Sequence, residues 1–216
     1  MKKSLFLAAV LLVAVSGFAD TSINNFGGYN DYWHPYGDNS SSTQTYGEVF
    51  TLPNATDTNL ASFSFFIGDP IDSGNIITGA YIATWTGSQA GTLLYSSNQI
   101  SYDNLGNEEL TVNTGGLTLQ TGQQYVMFLS TSNYHGQSAG STYISTGNSD
   151  PNLHGFVYYN NGGDFNALFN SGWDGTGLSP DWAVDLQFNQ VPEPGTLMML
   201  GTGILGGIGV LRRKLF

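Results

Sequence analysis

The chain has 216 residues, of which 40% are hydrophobic, 13% aromatic and 10% charged, with 29 Gly, no Cys and a formal net charge of −11. That length fits one ordinary domain or one large β-sandwich plus peripheral segments, and the apolar content is too high for a disordered polymer. Lack of Cys excludes a disulfide framework, a thiolate nucleophile, a Cys-ligated zinc and an iron–sulfur cluster.

The amino-terminal stretch places Lys2 and Lys3 ahead of an apolar run from Leu5 to Val15 and ends in Gly17-Phe18-Ala19. A basic start, a short apolar run and small residues before the cut site predict a secretory signal peptide over residues 1–19, cleaved between Ala19 and Asp20. The run is shorter than a spanning helix needs.

Residues 20–44 read as a loose lead-in, with Asn39 to Thr43 wholly polar. From there, short apolar runs of period two predict strands. Phe63, Phe65 and Ile67 alternate with Ser62 and Ser64, although Phe66 breaks the pattern. Trp182, Val184, Leu186 and Phe188 alternate strictly with Ala183, Asp185, Gln187 and Asn189. Further strands are expected at 46–52, 76–85, 92–96, 109–113, 117–119, 124–130, 141–146 and 155–159. Turns are expected at Gly68-Asp69-Pro70, Ser73-Gly74-Asn75, Asn104 to Asn107, Gly115-Gly116 and Asn160 to Gly163. Nine or ten strands with no helical period predict an all-β ectodomain over residues 20–190, an antiparallel β-sandwich of jelly-roll type.

All five basic residues, Lys2, Lys3, Arg212, Arg213 and Lys214, lie at the two ends, whereas every acidic residue except Glu193 lies between Asp20 and Gln190. A body without basic side chains can neither neutralise phosphates nor clamp carboxylates, so nucleic acid, nucleotides and anionic polysaccharides are poor partners for it. Neutral glycans, cations and other proteins remain.

No catalytic residue is assigned. Gly136-Gln137-Ser138-Ala139-Gly140, with Asp150 and His154 following, matches a hydrolase motif but lacks the strand–turn–helix setting that exposes such a serine. Glu108 and Glu109 are neighbours on a strand and point to opposite faces, so they cannot flank one bond. A distant acid such as Asp103 or Asp185 would have to complete a glycosidase pair. Two oxygen-rich turns, around Asp150 and around Asp164, suit a structural calcium ion, whereas His34, His135 and His154 lack the spacing of a zinc site. For sugar stacking the candidates are Trp173 with Asp174, in a glycine-rich loop, and Trp33, near Asp31 and His34. Each sets an aromatic beside polar acceptors.

The carboxyl end reads Val191-Pro192-Glu193-Pro194, an uncharged 17-residue run from Gly195 to Leu211, and the basic stop Arg212, Arg213 and Lys214. The run predicts a transmembrane helix at the lower length limit, held by the positive-inside rule. This order resembles the PEP-CTERM sorting signal over residues 191–216. The resemblance implies that exosortase, a membrane enzyme of Gram-negative bacteria that make exopolysaccharide, recognises and cuts this tail. The phrases YGEVFTLP (46–53), SFSFFIGDP (62–70), GTLLYSS (91–97), LTLQTGQQYVMFLST (117–131) and DWAVDLQF (181–188) also resemble ectodomains found ahead of such tails. Those are β-sandwiches sometimes compared with carbohydrate-binding modules, with no catalytic residue to carry over.

The expectation is an exported protein, anchored in the inner membrane as a precursor and then released to the cell surface or matrix. Its partners would be signal peptidase, exosortase and exopolysaccharide or other matrix proteins. Its role would be structural or adhesive, non-catalytic, with neutral glycan contacts. The alternative is a secreted glycan-cleaving hydrolase using loop carboxylates.

Overall fold

Runs of period two give each strand one apolar and one polar face, and two such sheets bury their apolar faces against each other. The computed structural model describes residues 21–30, 35–38, 42–54, 57–103, 105–178 and 180–189. Thirteen strands fall within them: β1 (Thr21–Asn24), β2 (Tyr36–Gly37), β3 (Thr45–Phe50), β4 (Asn59–Asp72), β5 (Ile76–Trp85), β6 (Ala90–Ser96) and β7 (Ile100–Tyr102). The series continues with β8 (Glu108–Thr118), β9 (Tyr125–Ser130), β10 (Ser141–Ile144), β11 (Leu153–Tyr159), β12 (Asp174–Leu178) and β13 (Val184–Asn189). The predicted signal peptide, the transmembrane helix at 195–211 and the basic tail lie outside the described residues. No described helix is long and apolar enough to cross a membrane.

The strands form two antiparallel sheets, a β-sandwich. A six-stranded sheet runs β1-β13-β4-β10-β2, with β8 on the other side of β4, and a seven-stranded sheet runs β12-β11-β3-β9-β5-β6, with β7 on β5. Phe63, Phe65 and Ile67 of β4 and Val184, Leu186 and Phe188 of β13 point between the sheets. There they meet Tyr46, Phe50, Ile82, Tyr125, Met127 and Leu129 of the opposite sheet. Trp182, expected in this core, is fully buried. A second, smaller apolar layer covers the outside of the seven-stranded sheet. Val49, Tyr81, Ala83, Trp85, Val126, Phe128 and Val157 lie there under Leu168 and Trp173, beside the 3-10 turn Phe165–Phe169.

Three expectations change. Gly68-Asp69-Pro70 is not a turn, because β4 continues to Asp72 and pairs with β10, whose Thr142 hydroxyl bonds to the carbonyls of Gly68 and Asp69 at 3.1 Å each. Gly115-Gly116 likewise stays within β8. Its φ values of +75° and +95° form a bulge, where the register with β4 jumps from Leu60↔Leu117 to Ser62↔Asn113. The Thr114 hydroxyl closes that bulge by accepting the N–H of Gly116 at 3.1 Å and of Leu117 at 3.2 Å. Finally, the lead-in is not loose throughout. β1 pairs with β13, and buried Asn25 accepts the N–H of Val184 at 2.8 Å while donating to the carbonyls of Asn148 and Trp182.

Candidate functional site

The alternation of β4 and β13 that buries one face leaves the other to solvent. On the outer face of the six-stranded sheet, pairing aligns side chains from four adjacent strands into rows. One row is Ser22, Gln187, Ser62 and Asn113, and the next is Asn24, Asp185, Ser64 and Thr111. At about 4.8 Å per strand this face is about 14 Å across. Ser22, Asn24, Thr111 and Asn113 are exposed, and Asp185, Gln187 and Ser62 are half-buried.

The rows are internally bonded. Gln187 donates to Asp185 Oδ1 at 2.7 Å, and the Ser64 and Thr111 hydroxyls lie 2.9 Å apart. Thr111 also bonds to Glu109 Oε1 at 3.3 Å. Thr111 spends its one proton on Glu109, so its oxygen accepts the proton of Ser64. Partial burial raises the Asp185 carboxyl above its ordinary value. The Glu109 charge adds to that shift, and hydrogen bonds from Gln187 and Asn24 oppose it.

Phe66 stands one step beyond these rows. It points to the outer face, where Phe26 stacks on it with ring centroids 4.0 Å apart and Tyr29 meets Phe26 edge-on at 5.0 Å. Phe66 is covered and Phe26 half-covered, but Tyr29 stays exposed. Burial, then the charges of Glu109 and Glu108, raise the Tyr29 phenol. The result is an aromatic shelf beside a flat bed of hydroxyls, amides and two carboxylates. The letter that breaks the alternation, Phe66, is the sequence signal for it, whereas Phe26 and Tyr29 carry none of their own.

The sugar-stacking candidates fare differently. Trp173 does not offer a ring to solvent, because it plugs the second apolar layer. Its indole N–H donates to the Leu168 carbonyl at 2.8 Å, and its ring meets Phe128 at 5.3 Å and Trp85 at 5.7 Å. The reason is that the outside of the seven-stranded sheet is apolar and needs a cover. Asp174 is exposed at the start of β12, and Trp33 lies outside the described residues.

Asp150 Oδ1 accepts the backbone and side-chain N–H of Asn152 at 2.8 and 3.0 Å, and Asp164 caps its 3-10 turn through the N–H of Asn166 and Ala167. No cluster of three or more acidic or histidine side chains suited to a metal occurs among the described residues. Ser138 is held by the backbone of Ile77, and His154 pairs with Thr51 through Nε2 at 3.2 Å. The serine, acid and histidine of the motif thus serve separate local contacts. Elsewhere, Asp38 accepts from His135 and from the backbone of Gly136, tying β2 to the loop after β9.

The sorting residues Val191, Pro192, Glu193 and Pro194, the stop-transfer residues Arg212, Arg213 and Lys214, and the cleavage pair Ala19 and Asp20 lie outside the described residues. The family model of the PEP-CTERM protein-sorting motif matches residues 190–214. No curated protein matches the chain. Among solved structures, the chain is similar to the cysteine protease and lectin-like domains of Cwp84, a surface layer associated protein of Clostridium difficile. The identity is 14% and the TM-score 0.43, over 70% of this chain and 33% of that one. The family match shows that residues 190–214 carry a PEP-CTERM protein-sorting motif, which implies export towards the surface and processing by exosortase.

Proposed function

We propose that the sandwich is the non-catalytic, adhesive cargo of this sorting route and that it holds neutral glycan on the outer face of its six-stranded sheet. The observation that carries this reading is the alignment of Asn24, Asp185, Ser64 and Thr111 in one row beside the Phe26–Tyr29–Phe66 shelf. Hydroxyls, amides and carboxylates bond sugar hydroxyls, and an exposed ring stacks on the apolar face of a sugar. The acidic body repels anionic polysaccharides, which leaves neutral ones. Alternation of β3, β4, β5, β8, β9, β10, β11 and β13 between the two sheets supports jelly-roll winding for the scaffold. Signal cleavage after Ala19 and a membrane-anchored precursor complete the route.

The test is retention of the protein on a panel of insoluble neutral polysaccharides, compared with Tyr29→Ala and Asp185→Ala. Saturable retention by the parent, weakened about tenfold or more in both variants, supports the reading. Equal retention in all three proteins, or none on any glycan, removes it.

One observation favours cleavage instead. Asp185 and Glu109 share the outer face, and the Asp185 carboxyl is raised, as a general acid requires. New reducing ends that appear with the parent protein and vanish with Glu109→Gln would establish the hydrolase.

A further inference from the structure

The body has no Lys or Arg, so no strand edge in it is guarded by a basic side chain. Acidic residues protect most of the edges. β8 opens on Glu108 and Glu109, β12 opens on Asp174, and the short strands β2 and β7 run directly into Asp38 and Asp103. On the short β1 edge, Thr21 bonds to Asp57.

β6 differs from all of these. It lies at the end of the seven-stranded sheet, paired to β5 on one side and to no described strand on the other. It is seven residues long, and no charged residue occurs between Asp72 and Asp103, so the strand and both its flanks are neutral. Leu93 and Leu94 are 40% and 37% exposed on it. Beside it lies a hollow of about 240 Å³ with uncharged walls, formed by Thr84, Thr92, Leu94, Thr118, Gln120, Gln123 and Tyr125.

We propose that β6 is a self-association edge, on which a second copy of this chain pairs its own β6 antiparallel about a twofold axis. Charge decides the occupant. Two bodies that both carry only acidic residues repel one another unless they meet where neither has charge, and β6 is the long edge that meets this condition. A basic partner would be drawn to the acidic surfaces elsewhere. An antiparallel edge is complementary to itself, so one surface suffices and a closed pair results. The pairing joins two seven-stranded sheets and leaves the outer faces of both six-stranded sheets free, so each dimer presents two copies of the polar face.

The absence of Cys makes the test clean. Single-cysteine chains Leu93→Cys on β6 and Ser22→Cys on β1, full length in detergent micelles, are oxidised and run without reductant. Pairing centred on Leu93 brings the two β6 sulfurs within bonding range, so Leu93→Cys gives a disulfide-linked dimer and Ser22→Cys does not. By sedimentation equilibrium, Thr92→Lys and Leu94→Lys each lower the association constant about tenfold or more. Added salt strengthens association by screening the residual repulsion. Equal cross-linking at both positions, or a monomer at every concentration, overturns the proposal. Should the lysine variants fail to fold, the cysteine pair decides alone.

Discussion

The Glu48 carboxylate, on β3 of one sheet, accepts the backbone N–H of Trp182, just before β13 of the other, at 2.9 Å. Its second oxygen accepts the N–H of Gly155 at 3.1 Å. Glu48 is fully buried, and a bulge in β11, with Gly155 at φ +100°, turns that N–H inward. Truncation would orphan both donors. Glu48→Ala therefore costs roughly 2–4 kcal/mol of stability, read from urea midpoints, with the outer face unaffected. A change below ~0.5 kcal/mol would show that water replaces the carboxylate.

Burial raises the Glu48 carboxyl well above its ordinary value. The Asp181 charge adds to this, and the backbone donors of Trp182, Gly155 and His154 oppose it. Asp181 is also raised, chiefly by burial. A group that holds its proton more tightly when folded contributes stability below its unfolded pKa and loses it as pH rises through the folded value. The stability these two groups contribute should thus fall as pH rises above the ordinary carboxylate range, and Glu48→Gln should flatten part of that slope. A midpoint that climbs with pH over this range would contradict the assignment.

Two aromatic substitutions separate the core from the face. Trp173→Ala empties a buried site and costs about 3–5 kcal/mol, while glycan retention by the folded fraction stays intact. Tyr29→Ala removes an exposed ring, so it changes stability by about 0.5 kcal/mol or less and weakens retention about tenfold. The reverse pattern would return the binding role to the Trp173 loop.

Asp150 and Asp164 each bind their own turn through Oδ1, and no group of three or more acidic or histidine side chains gathers around a metal position among the described residues. Chelation of divalent cations should therefore leave the melting temperature unchanged, as scanning calorimetry would show. A drop of several degrees on adding EDTA, reversed by calcium, would restore a structural ion to one of these loops.

Most of the sandwich was legible because burial imposes period two. Phe63, Phe65 and Ile67, and the run from Trp182 to Phe188, announce their faces, and β3, β5, β9 and β11 fall close to their expected ranges. The short strands β1, β2, β7 and β12 escape notice, since two to five residues are too few to show a period. Gly115-Gly116 and Gly68-Asp69-Pro70 look like turns because their chemistry is turn chemistry, and only pairing with distant strands keeps them in the sheet. Trp173 misleads for a related reason. A glycine-rich loop suggests exposure, but an apolar outer sheet face, invisible to local reading, draws it in. The polar rows are a product of register, which no single strand encodes.

That the sandwich is the cargo and both ends are addresses is tested most directly by the intact mass of the native protein recovered from its host's surface. A species beginning at Asp20 and ending near Pro192-Glu193-Pro194 is the expected result. A mass that still includes Arg212 and Arg213, in a host with active exosortase, would contradict it.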